Sequence, residues 1–185
     1  MNYTGLFGEC RILPNRFGET QARVARIVCN KDQYYFVELA TRIPWWVVGI
    51  LHSLESSCNL ACHLHNGDPL SARTVHVPRG RPVANPTSGH FPYSWRESTQ
   101  DALNGRWEPC QWTLAGTLEF FERYNGMGYR EKGILSPYLW SFTDKYTTGL
   151  FVFDGKFSPT IVSQNIGAAA LLKTLIAQSV VVLAT

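Results

Sequence analysis

Charge is scarce in this chain of 185 residues, of which only 17% are charged. Lysine and arginine number 17 against 14 aspartates and glutamates, a net of +3. No concentrated basic stripe is present, so a dedicated nucleic-acid binder is excluded. The mild surplus suits work against a weakly anionic surface or polymer. Intrinsic disorder is also excluded, because 45% of the residues are apolar and disorder requires low hydrophobicity with high net charge. Repeats, low-complexity tracts and long linkers are missing, and the length suits one domain, expected over residues 1–185. Met1 to Pro14 lacks the charged start and apolar run of a secretory leader. A membrane span needs about 20 mostly apolar residues. The greasiest stretch, Ile166 to Thr185, is interrupted by Lys173, Thr174, Gln178 and Ser179, and reads as a final helix docked on the core. The five cysteines (Cys10, Cys29, Cys58, Cys62 and Cys110) cannot all pair within one chain. Reduced thiols in a protein made in the cytoplasm are expected.

What is present is mostly helical pattern. Glu19 to Arg42 reads as one long helix, with Val24, Ile27, Val28, Tyr35 and Leu39 near a single stripe. Pro44 opens a second helix through Trp45, Val48, Ile50 and Leu51 to about Ser57, apolar nearly all round and so expected to be buried. From Leu60 to Gly89, glycines and prolines break any helix, and Thr74-Val75-His76-Val77 alternates like a short strand of a hairpin or extended lobe. Ser94 and Glu97 form a capping-box signature for another helix. Further helices fit Gln111 to Tyr124, Pro137 to Phe142 and Thr160 to Ile176, and Tyr146 to Lys156 fits a hairpin around Asp154-Gly155. The expected fold class is α+β, predominantly α-helical with a small β-hairpin lobe.

Glu55 is the first candidate for chemistry. It ends an almost uncharged helix, and a carboxyl beside apolar walls is kept protonated by desolvation, as a general acid requires. Asp68 follows 13 residues later in Asn66-Gly67-Asp68-Pro69, and Thr74 six residues after that. Asn-Gly-Asp-Pro is also strong turn chemistry. A helix-end glutamate, a turn aspartate and a threonine can surround one cavity, and glycoside hydrolysis uses two carboxyl groups in this way. The aromatic share is 13%, with six tryptophans, which suits both sugar clefts and ordinary cores. Candidates to contact a glycan are His52, one turn before Glu55, with Tyr124, Asn125, Tyr129, Tyr138 and Trp140; Trp45 and Trp46 fit the core better.

These residues resemble the lysozyme superfamily. Glu55-Ser56-Ser57 at a helix end resembles the glutamate-serine motif of goose-type lysozymes and soluble lytic transglycosylases. The order Glu, then Asp-x5-Thr, resembles the triad of tailed-phage lysozymes, and Tyr124-Asn125-Gly126 is similar to the tyrosine-asparagine motif of the transglycosylase-like branch. His63 to Leu70, Ser136 to Ser141 and Asp154-Gly155-Lys156 look like stretches of lysozyme-like proteins from phage and bacterial genomes, so the likeness runs from about Trp45 to Leu172. The resemblance implies a lysozyme-like fold and an endolysin-type muramidase. Its substrate would be the β-1,4 bond between N-acetylmuramic acid and N-acetylglucosamine in peptidoglycan. By matched position Glu55 would be the general acid, Asp68 the second carboxylate and Thr74 the hydroxyl beside the attacking water. With Asp68 only a turn residue, the enzyme would resemble the transglycosylases, which use one glutamate and close an anhydro ring. No cofactor, a monomer, no nucleic-acid partner and no stable membrane insertion are expected, and the resemblance implies accumulation in the host cytoplasm until a holin opens the membrane.

Three other readings compete. Cys58, Cys62, His63 and His65 cluster as zinc ligands do, but no second ligand pair follows, so no metal site is expected. Cys58 with His76 or His90 could serve as a cysteine nucleophile and base, although no flanking signature supports this. A wall-binding or structural phage protein without activity is the non-enzyme alternative, against which the presence of Glu55, Asp68 and Thr74 argues.

Overall fold

The structure is a computed structural model that describes residues 1–104, 112–153 and 155–183, apart from the side chain of Phe153. In chain order the elements are α1 (Tyr3–Glu9), a 3-10 turn (Pro14–Arg16), α2 (Phe17–Cys29), α3 (Lys31–Thr41), α4 (Trp45–Ser56), α5 (Trp95–Leu103), α6 (Leu114–Asn125), α7 (Gly128–Glu131), α8 (Pro137–Trp140), β1 (Leu150–Phe153), β2 (Lys156–Ser158) and α9 (Ala168–Ala177). The mixed, helix-dominated class is therefore present. The chain forms two compact units, one of residues 1–24 with 110–185 and the other of 25–109.

The first unit is built around α9. Ala168, Ala169, Ala170, Leu171, Leu172 and Leu175 are fully buried, and α9 packs on α8 and α6. Gly167 precedes it because a Cβ there would lie 2.7 Å from the backbone at Leu139 and Ser141. The expected helix from Thr160 to Ile176 starts only at Ala168. Upstream, Ile161 O accepts from Gly149 N and Ser163 N donates to the Tyr146 hydroxyl, so those backbone groups are used across the fold rather than along a helix. Helix α6 begins where Thr113 caps Gly116 N; Gln111, its expected start, lies outside the described residues. The hairpin expected near Asp154-Gly155 is present. β1 and β2 pair antiparallel, Leu150 opposite Ser158, with Gly155 at φ +71°, while Asp154 lies outside the described residues.

The second unit packs α3 against α4 and α5, joined by the last turns of α2. Ile27, Tyr34, Val37, Val47, Val48, Ile50 and Leu51 are fully buried, each large aliphatic worth roughly 1.5–3 kcal/mol. Gly49 lets α4 approach closely, since a Cβ there would sit 2.6 Å from Ile27 and 2.9 Å from the Tyr34 ring. The single helix expected from Glu19 to Arg42 is two helices, broken at Asn30. Tyr34 and Val37 turn inward, while Val28, Tyr35 and Leu39, expected on the buried stripe, are exposed.

Residues 60–93 contain no strand, so the β-lobe expected there is a correction. Thr74 to Val77 cannot enter a ladder, because their backbone groups are already used. Val75 N and His76 N donate to the Asp68 carboxylate, Thr74 N donates to Arg81 O, and Thr74 O accepts from Gly80 N. Ser94 and Glu97 then form the expected reciprocal capping box of α5.

Candidate functional site

The apolar face of α4 decides where Glu55 sits. Residues 46–53 are buried, and partial exposure is confined to Trp45 at the start and to the last turn, Leu54 to Ser56. The helix ends abruptly. Ser57 and Cys58 both adopt the left-handed conformation, φ +55° and +62°, and Ser57 N returns to His52 O and Ser53 O. The chain then folds back, and the turn His63–Asp68 lies on the helix end. A Cβ at Gly67, φ +80°, would approach Glu55 O to 3.0 Å, so glycine answers both the conformation and the close approach. Glu55 is thus a half-buried acid whose backbone touches the turn that carries Asp68.

Asp68 is 6% exposed and its carboxylate is fully engaged. Oδ2 accepts from Val75 N at 2.8 Å, His76 N at 3.0 Å and Asn66 Nδ2 at 3.1 Å. Oδ1 accepts from His76 Nδ1 at 2.6 Å. Burial alone would raise its pKa, but the His76 and Val75 donors outweigh burial and hold it at about 2. Thr74 is 2% exposed, and its hydroxyl donates to Pro78 O and accepts from Arg81 N at 2.9 Å. Both residues therefore fasten the segment 74–81. The groups expected as the second carboxylate, on Asp68, and as the water-holding hydroxyl, on Thr74, are thus bonded within this loop. Two further clamps hold the same region. Arg81 meets Asp101 through Nε and Nη2, each within 2.9 Å, and His65 Nε2 donates to Asp101 at 2.8 Å.

His52, expected to contact a glycan, lies in the core of the second unit. It is fully buried beside Tyr34 and Trp95, its ring 4.5 Å from that of Trp95, and cannot line a cleft. Its Nδ1 lies 3.0 Å from the Tyr34 hydroxyl, and Nε2 has no hydrogen-bond partner among the described residues. Burial lowers its pKa to about 4, the Asn59 backbone offsetting part of the effect.

The remaining glycan candidates all lie in the first unit. Trp140 is fully buried, and Tyr129 is 6% exposed with its hydroxyl accepting from Phe151 N, so both are core residues rather than a sugar platform. Tyr124 and Tyr138 are half-buried and Asn125 is exposed at the end of α6. The same unit holds a cavity of about 430 Å³ lined by Ile12, Phe17, Gln21, Lys173, Thr174, Ala177 and Gln178, none of them an expected glycan contact.

Among the described residues no cluster of histidine, cysteine and carboxylate is arranged to hold a metal ion, and no helix is long and apolar enough to cross a membrane. The His76–Asp68 pair has no signature in spacing alone, because what joins the two is the fold of the 74–81 loop. No family model, no curated protein and no solved structure matches this chain.

Proposed function

We propose that the chain is a peptidoglycan-cleaving glycosidase of the endolysin type, with Glu55 as the general acid. The observation that carries this reading is the placement of Glu55, half-buried at the end of an otherwise buried apolar helix and packed through its backbone on a polar turn. An acid so placed can give its proton to the bridging oxygen of a β-1,4 bond as that bond breaks. The sequence resemblance supplies the substrate, the bond between N-acetylmuramic acid and N-acetylglucosamine. On this reading the protein works as a monomer without a cofactor, gathers in the host cytoplasm, and reaches the wall once a holin opens the membrane.

A second reading is favoured by one observation. The Asp68 oxygens and the Thr74 hydroxyl are bonded inside the loop, which favours a reaction that needs no second carboxylate and no held water. A single acid then suffices if the sugar's own 6-hydroxyl attacks, which is lytic transglycosylation. Digestion of purified peptidoglycan, with Glu55→Gln alongside and products weighed by mass spectrometry, separates the two. Reducing muramic acid ends mean hydrolysis; products lighter by one water mean transglycosylation. Intact glycan strands, or full activity in Glu55→Gln, would overturn the assignment.

A further inference from the structure

Five histidines lie in residues 52–90, and the structure uses them differently. His52 is sealed in the aromatic core. His63 is fully buried, with Nε2 donating to Ala72 O at 2.8 Å and Nδ1 accepting from Ser98 at 2.6 Å. His65 is buried against Asp101. His90 is exposed, its ring touching only the Phe91 carbonyl at 3.3 Å. His76 differs from all four. Its side chain is 77% exposed, yet Nδ1 is held at 2.6 Å by an aspartate whose side chain is 8% exposed. That aspartate is fixed in turn by the amides of Val75 and His76 and by Asn66.

The chemistry of this pair has one direction. An ionised carboxylate only accepts, so Nδ1 carries the hydrogen and donates it to Asp68. The neutral ring must then keep its lone pair on Nε2, which the exposure of the side chain turns toward solvent. Packing of the ring does not require this arrangement, because the exposed ring buries little; the loop amides bond Oδ2, and His76 bonds Oδ1. The turn bearing Asp68 also touches the Glu55 backbone through Gly67, so the acid and the oriented ring are anchored to one structural unit.

We infer that His76 is the base that partners Glu55, and that Asp68 is its positioning residue. This rests on the glycosidase reading above and supplies the proton acceptor that the engaged Asp68 and Thr74 leave missing. As the oxygen of water bonds to the anomeric carbon, Nε2 takes one proton from it. The bond from that carbon to the bridging oxygen breaks, and the leaving oxygen takes the proton of Glu55. The imidazolium then returns its proton through solvent to the Glu55 carboxylate, restoring both groups. The products carry reducing ends.

Two measurements test this. In nitrogen-15 NMR of the intact protein at neutral pH, His76 should be the tautomer protonated at Nδ1, and Asp68→Asn should remove that bias. A ring protonated mainly at Nε2 in the wild type overturns the proposal. In peptidoglycan digestion, His76→Ala should lose about 100-fold in rate, the low end of what a general base contributes, with part restored by added imidazole. His76→Asn, which keeps an N–H for Asp68 but offers no basic nitrogen, should be equally slow. A wild type that cuts glycan, with Glu55→Gln inactive but either His76 variant undiminished, overturns this role alone. A wild type that leaves glycan intact overturns the glycosidase reading and the role of His76 with it.

Discussion

Among the described residues each unit holds one deeply buried, fully bonded carboxylate, and the two are bonded differently. In the first unit Glu122 on α6 is 1% exposed; the Tyr3 hydroxyl from α1 donates to it, and Arg130 from α7 meets it through Nε at 3.2 Å and Nη2 at 2.9 Å. All its partners come from other helices of that unit, so the group acts as a clamp between them. Burial and the adjacent carboxylate push the Tyr3 hydroxyl well above its usual pKa, so the phenol stays a donor. In the second unit Asp68 is bonded to its own loop and to one exposed ring. The first carboxylate joins helices, whereas the second shapes a loop and aims a side chain outward. Burial and saturation alone do not distinguish a structural acid from one near chemistry; what the partner does with its other end distinguishes them.

That contrast can be broken most forcefully at Arg130. Arg130→Met leaves Glu122 buried without its cation and should cost about 3 kcal/mol, the low end for a broken buried pair because Arg130 is itself a third exposed. Urea unfolding measures it, and a loss under about 1 kcal/mol would mean that Glu122 is not a clamp.

The second unit should instead reveal itself through acid. His52 has a folded pKa of about 4 against 6.5 when free, so between these values the unfolded chain binds more protons than the folded one. Stability should therefore fall as pH drops from about 6.5 to 4, by on the order of 3 kcal/mol. Fluorescence of the neighbouring Trp95 during denaturant titrations would report it, and His52→Phe should flatten that window. Asp68 acts lower. Its folded pKa of about 2 lies below the free value of 3.8, so its contribution is present above 3.8 and is lost as pH falls toward 2. The loss should be on the order of 1–2 kcal/mol, and absent in Asp68→Asn. The smallest effect is expected at His76. His76→Asn should change stability by no more than about 0.5 kcal/mol in the same titrations, since an exposed ring contributes little. A larger loss would make the ring a structural brace and bring Asp68 closer to Glu122 in kind.

Several elements were legible in the residues themselves. The Pro44 start and apolar burial of α4, the Ser94–Glu97 box and the β1–β2 hairpin with Gly155 are local signals, and local geometry obeyed them. The break at Asn30 was not legible, because the apolar residues on either side fit one continuous stripe equally well. α1 and α7 were missed because elements of seven and four residues are too short to show a period. Within the site, the position of Glu55 at the end of a buried helix could be read in advance. The engagement of Asp68 and Thr74 could not, since their donors and acceptors come from a loop whose path has no periodic signature.

The sequence by itself determined the helix-dominated class, the buried α4 and the acid at its end, because periodicity, capping and turn chemistry act over a few neighbouring residues. Only the tertiary structure decided that Trp140, Tyr129 and His52 belong to cores, that Asp68 holds a loop, and that His76 is an exposed ring bonded to a buried carboxylate. Burial and hydrogen-bond partnership are set by groups distant in the chain, and composition carries no record of which of them will meet.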